Sequence, residues 1–162
     1  MRAREVIRAG ARSTWQAPAN SSTGVVWGDT VVVEDAPSRM RATMYNFNPG
    51  GRTNWHSHPV GQTLYCTAGI GRICFKGSPP QILEPGDTVM IPPDTLHWHG
   101  AAPDRFFAHL AMMEVDDHGN GLTWPTSIAS WEQRACTVAG RNLTRPEWTR
   151  FVTGQPYARV CP

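Results

Sequence analysis

Between Phe106 and Met113 the chain reads Phe-Phe-Ala-His-Leu-Ala-Met-Met, one histidine set among apolar residues. A strand sends successive side chains to opposite faces. Phe107, His109, Ala111 and Met113 would therefore share one face, and Phe106, Ala108, Leu110 and Met112 the other, so neither face is plainly solvent-facing. This run belongs to a strand expected over 105–115. Shorter β-branched and aromatic runs predict strands at 24–27, 30–34, 40–47, 53–57, 62–67, 71–75, 81–83, 88–91 and 96–99. Turns fall between them at Asn48-Pro-Gly-Gly, Pro59-Val-Gly, Lys76-Gly-Ser-Pro-Pro, Glu84-Pro-Gly-Asp and Pro92-Pro-Asp. Many short strands at this spacing predict an all-β fold, a jelly-roll β-barrel of two antiparallel sheets with a ligand pocket between them. Further on the pattern changes. Residues 127–135 and 144–152 have helical composition, and Thr144-x-x-Glu147 with Pro146 in the first turn reads as a capping box. The expected organisation is a barrel over 1–118 and a short, partly helical C-terminal extension over 119–162, anchored by Trp131, Trp148 and Phe151.

Composition narrows the function. A chain of 162 residues can bury a core without disulfide or metal staples. Its net charge of +2 is too small to argue for a nucleic acid or a membrane surface. No apolar stretch approaches the length of a transmembrane helix, and Met1-Arg-Ala-Arg-Glu-Val-Ile-Arg has no secretory character. A cytoplasmic location is the expectation. Cys66, Cys74, Cys136 and Cys161 show no Cys-x-x-Cys spacing and are expected as reduced thiols.

The chemistry concentrates in the histidines. Four of the six fall in two pairs, His56-Ser-His58 and His97-Trp-His99. A His-x-His pair on a strand aims both imidazoles at one face, and two such pairs from separate strands can converge on one cation inside a barrel. Imidazole suits Zn, Cu, Fe, Ni and Mn. The alternative is four histidines scattered over a surface or stacked in an aromatic core.

The spacing around these pairs resembles a known family. Gly50-x5-His56-x-His58-x3-Gln62-x6-Gly69 is similar to the first cupin motif, Gly-x5-His-x-His-x3-4-Glu-x6-Gly. Gly86-x5-Pro92-x-Asp94-x2-His97 is similar to the second, Gly-x5-Pro-x-Gly-x2-His-x3-Asn. Gln62 stands where most cupins carry a glutamate, and Asp94 and Ala101 replace the later Gly and Asn. Asp tolerates positive φ better than most residues, so a turn at Asp94 survives the change. The strings Trp55-His-Ser-His-Pro-Val-Gly-Gln-Thr-Leu and His97-Trp-His-Gly-Ala-Ala-Pro resemble a narrower group, small single-domain bacterial cupins that include manganese-dependent hydroxynitrile lyases.

The resemblance implies a divalent metal held by His56, His58, His97 and the amide oxygen of Gln62, with Mn²⁺ first and Fe²⁺, Ni²⁺ or Zn²⁺ as alternatives. Read from the residues alone, Gln62 also fits a solvated polar residue at the start of a strand, although its three-residue offset from His58 favours ligation. His99 shares a face with His97 and is either a hydrogen-bonded core histidine or a group that positions substrate and relays a proton. His109, buried among apolar neighbours, needs a partner. The narrower group carries a histidine at the equivalent place, acting on the substrate hydroxyl. His99 and His109 are thus the candidate catalytic residues. Met44, Leu64, Phe107 and Met112 are expected to line the substrate pocket, whereas Trp55 and Trp98, adjacent to inward histidines, fall on the opposite face. The function implied is cleavage of a cyanohydrin to an aldehyde and cyanide. An Fe- or Ni-dependent dioxygenase and a non-catalytic ligand-binding or assembly module with a structural metal stand beside it. The partners implied are a small-molecule substrate and a second copy of the chain in a homodimer, with no nucleic acid and no membrane.

Overall fold

The computed structural model of the protein describes residues 6–124 and 144–146. In chain order its strands are β1 (Thr14–Gln16), β2 (Ser22–Thr23), β3 (Val26–Val32), β4 (Met40–Phe47), β5 (Arg52–Thr53), β6 (Gln62–Gly69), β7 (Gly71–Phe75), β8 (Gln81–Leu83), β9 (Thr88–Ile91), β10 (His97–Ala101) and β11 (Phe107–Glu114). They form two antiparallel sheets, one ordered β1-β3-β4-β11-β6-β9 and the other β2-β5-β10-β7-β8. This is the expected all-β jelly roll. The chain divides into two units, Met1–Thr123 and Trp124–Pro162, and everything described below lies in the first. The helices expected at 127–135 and 144–152 fall outside the described residues, apart from 144–146. Among the described residues no helix is long and apolar enough to cross a membrane.

Alternation decides what each sheet buries. β6 places Gln62, Leu64 and Cys66 inward and exposes Tyr65 and Thr67. Its neighbour β11 sets His109 opposite Cys66 and Ala111 opposite Leu64, so His109 points into the same interior. The core between the sheets includes Val26, Phe47, Leu64, Ile73, Ile91 and Phe107, all nearly or fully buried. Burying a large apolar side chain contributes about 1.5–3 kcal/mol, so this layer fixes which way each strand faces.

Two elements depart from the sequence expectation. The strands expected at 24–27 and 30–34 are one strand, β3, running through Gly28-Asp29. Gly28 is there for packing rather than for a turn: a Cβ on it would come within 2.4 Å of the Trp15 ring. Trp15 lies on β1, a three-residue exposed strand paired to β3 that is too short to show a period. The strand expected at 53–57 ends at Thr53, and an isolated bridge between His56 and His97 follows.

Candidate metal centre

The two histidine pairs reach the interior by different routes. On β10, alternation buries His97 and His99 opposite Phe75 and Ile73 of β7. His56 is clamped to His97 by reciprocal main-chain bonds, His56 N–H to His97 O and His97 N–H to His56 O, both 2.9 Å. His58 sits beyond that bridge in a turn closed by Gly61 N–H to His58 O at 3.2 Å and Asp94 N–H to His58 O at 2.8 Å. Both donors come from left-handed residues, Gly61 with φ +87° and Asp94 with φ 55°. Gly61 has no substitute there, since a Cβ would lie 2.7 Å from the Ile91 carbonyl. Gln62 then opens β6, opposite Ile91 on one side and Met113 on the other.

The result is a cluster of buried imidazoles. His56, His97 and His99 each offer a nitrogen within 4.8 Å of the others. His58 stands outside that trio by this distance, yet its ring centre is 5.0 Å from that of His56 and 5.6 Å from that of His97. Three of the rings are oriented through Nδ1 by backbone carbonyls: His56 by Asn54 O at 2.8 Å, His58 by Gly121 O at 2.6 Å and His97 by Thr95 O at 2.8 Å. A carbonyl only accepts, so Nδ1 carries the hydrogen in each, and Nε2 is left as a bare lone pair. The Nε2 atoms of His58 and His97 and the Oε1 of Gln62 are buried with no hydrogen-bond partner. Buried acceptors are normally satisfied. Unsatisfied acceptors gathered beside a histidine trio are what a cation site presents, and these residues fit a divalent metal.

The electrostatics agree. Burial first, then the adjacent His97, lowers the pKa of His56 to about 3. Burial lowers His97 to about 4 against the opposing Thr95 carbonyl. It lowers His58 also, with the Gly121 carbonyl and the Gln62 side chain pushing the other way. All three are neutral near pH 7, the state that ligation of a metal requires.

Behind the cluster, His109 Nε2 and His99 Nδ1 lie 3.0 Å apart, sharing one hydrogen. Both rings are buried. Burial lowers His109 to about 3, and burial followed by the neighbouring His109 holds His99 well below its ordinary value. The aromatic rings of Phe47 and Tyr45 pack on His109 at 5.4 and 5.7 Å.

Of the four expected pocket residues, Leu64 and Phe107 face the interior and are fully buried. Met44 and Met112 do not, which corrects the sequence expectation. Met44 pairs with Leu110 on the outer face of the six-stranded sheet and lies 3.9 Å from the Thr67 hydroxyl. Met112 pairs with Thr63 on that same face and lines a groove of about 480 Å³ with Gln62, Met90 and Met113. Both faces of β11 are apolar, so hydrophobicity could not say which one is inside. Trp55 and Trp98 fall outside the histidine face as expected, packed edge to face at 6.4 Å with Arg52 over the Trp98 ring. The sequence reading missed Gly121 altogether. A backbone carbonyl leaves no mark in residue type.

Residues 43–110 match the family described as Cupin domain. Over 130 residues the chain is 37% identical to an (R)-mandelonitrile lyase of Granulicella tundricola, covering 80% of this chain and 98% of that protein. Among solved structures it resembles a cupin-like protein of Thermotoga maritima, with TM-score 0.64 and 33% identity over 86% of this chain and 94% of the other. A cupin-2 domain protein of Rhodospirillum rubrum has TM-score 0.61 at 18% identity, over 84% and 91% of the two chains, a likeness of fold alone.

Proposed function

The chain belongs to the cupin family, and we propose that it is a metal-dependent lyase that cleaves a cyanohydrin to an aldehyde and cyanide. The observation that carries this reading is the buried hydrogen bond that ties His109 to His99, itself a member of the His56–His97–His99 trio. A purely structural metal would need no further imidazole bonded to one of the trio. The similarity to an (R)-mandelonitrile lyase supports the choice of reaction.

In this reading His56, His58, His97 and the Gln62 amide oxygen hold a divalent cation, Mn²⁺ first. When bound, the cation supplies Lewis acidity next to the substrate hydroxyl. The chain's own residues handle the proton. His99 stands nearer the cluster and accepts the hydroxyl proton as a neutral imidazole, while His109 Nε2 keeps its ring in place and shares the charge. As the O–H bond breaks, its electron pair forms the carbonyl, and the carbon–nitrile bond breaks with its pair leaving on cyanide. The imidazolium returns the proton to give hydrogen cyanide, so the enzyme ends as it began. Leu64 and Phe107 supply apolar wall, and their burial keeps water from the pair.

Cyanide release from mandelonitrile by the Mn²⁺-loaded protein is the test. Positioned acid–base groups contribute roughly 10²–10⁴-fold, and His99→Ala and His109→Ala should each lose activity on that scale. No cyanide release by the wild-type protein with any of Mn²⁺, Fe²⁺, Ni²⁺ or Zn²⁺ would contradict the reading. One observation favours a second assignment of ligands: the trio whose nitrogens lie closest is His56, His97 and His99. If His99 is itself a ligand, His99→Ala abolishes cation binding, whereas on the first assignment it leaves binding intact and removes turnover.

A further inference from the structure

We propose that residues 116–123 form a strap that positions His58, with the Gly121 carbonyl as the group that fixes its ring. The inference rests on the reading that His58 is a cation ligand. It starts from a contrast among the three oriented histidines. His56 and His97 each give their Nδ1 hydrogen to a carbonyl two residues earlier, Asn54 and Thr95. Their orientation is therefore local to their own segments. His58 gives its hydrogen to Gly121, 63 residues away, in the shortest of the three contacts at 2.6 Å. Gly121 follows β11, beyond the 43–110 stretch that matches the family.

The strap is built to hold that carbonyl still. Thr123 pairs with Ser57 beside the histidine, Ser57 N–H to Thr123 O at 3.0 Å and Thr123 N–H to Ser57 O at 2.8 Å. At the other end the chain reverses over Asp116. Its Oδ1 accepts from the N–H groups of His118 and Asn120 at 2.9 and 2.7 Å, and its Oδ2 accepts from the Asn120 amide at 3.0 Å. Asp116 N–H donates to Asn120 O at 2.8 Å, and Gly119 takes the left-handed φ of +82° that the turn needs. Gly121 itself is buried. With the strap in place, His58 is confined to the Nδ1–H tautomer and aims its Nε2 lone pair into the cluster. With the strap loosened, the ring loses its acceptor and is free to turn or to change tautomer, while His56 and His97 keep theirs. Gly121 is thus a positioning residue, and it ties cation affinity to the chain beyond the barrel strands.

The experiment compares full-length wild type with Thr123→Pro, which lacks the N–H that bonds Ser57. Two quantities are read: the imidazole ¹⁵N tautomer signals of the metal-free protein, and Zn²⁺ affinity by chelator competition. Thr123→Pro should lose the His58 Nδ1–H signature alone and weaken Zn²⁺ binding about 10- to 100-fold, the usual range for loss of a ligand's orienting partner. Asp116→Ala, which opens the other end of the strap, should repeat the Thr123→Pro result and serves where that variant does not fold. Wild-type Zn²⁺ affinity in both strap variants, or loss of all three histidine signatures together, overturns the proposal. His58→Ala separates the two readings: unchanged Zn²⁺ affinity there refutes His58 as a ligand, while the His58 tautomer signal in wild type and the two strap variants still reports on the strap.

Discussion

A buried acceptor without a donor costs about 1–3 kcal/mol, and His58, His97 and Gln62 each bury one. On the proposed ligand set, a cation would satisfy all of them together. The donor set proposed is three imidazoles and a carboxamide, all neutral, so a bound divalent ion keeps its full charge and attracts anions. That property resides in one residue. Gln62→Glu adds a compensating carboxylate and should weaken inhibition of the loaded enzyme by small anions such as azide roughly tenfold, equivalent to about 1.4 kcal/mol. Anion inhibition that does not move would remove Gln62 from the ligand set. Asp94 shows how a departure from the family pattern is absorbed. It adopts φ 55° where the motif has glycine, and its N–H still reaches the His58 carbonyl.

At the scale of elements, the motif glycines shape the turns between strands. Gly69 ends β6 at φ +75°, and a Cβ on it would lie 2.0 Å from the Phe106 carbonyl. Gly69→Ala should therefore cost at least about 2 kcal/mol of unfolding free energy, read as a lower urea midpoint with unchanged slope. A midpoint equal to wild type would mean that the β6–β11 junction is not held this way. Much of this architecture was legible in the sequence, because period-two alternation, turn residues and the His-x-His spacings each leave a local trace. β4, β7, β8 and β9 run where the pattern put them. What escaped was set by contacts between distant segments. Gly28 looks like a break and is instead the floor under Trp15. Met112 carries no sign of its outward facing, since β11 is apolar on both sides. The carbonyl that orients His58 comes from a turn whose sequence, Asp116-Asp-His-Gly-Asn-Gly, reads only as a solvated loop.

At the scale of the whole molecule, burying several histidines in neutral form links stability to pH. Their ordinary value is near 6.5, and the folded protein holds His56, His97 and His109 at about 3, 4 and 3. Above pH 6.5 both folded and unfolded chains carry them neutral, and stability from this source is flat. As pH falls from 6.5 towards 4, the unfolded chain binds protons that the folded one refuses, so stability drops through that window. Each such histidine contributes about 1.4 kcal/mol per pH unit. The urea midpoint of the metal-free protein should fall steeply below pH 6.5, and His109→Gln should flatten the slope; an unchanged slope would mean that His109 takes up its proton in the folded state. A cation that binds only the folded form adds stability as its concentration rises above Kd. The central claim is the cation's set of ligands, and X-ray absorption of the Mn²⁺-loaded protein measures it directly. The account predicts three imidazoles and additional oxygen donors in wild type, and two imidazoles in His58→Ala with His99→Ala unchanged. Three imidazoles retained in His58→Ala, with one lost in His99→Ala, would contradict it.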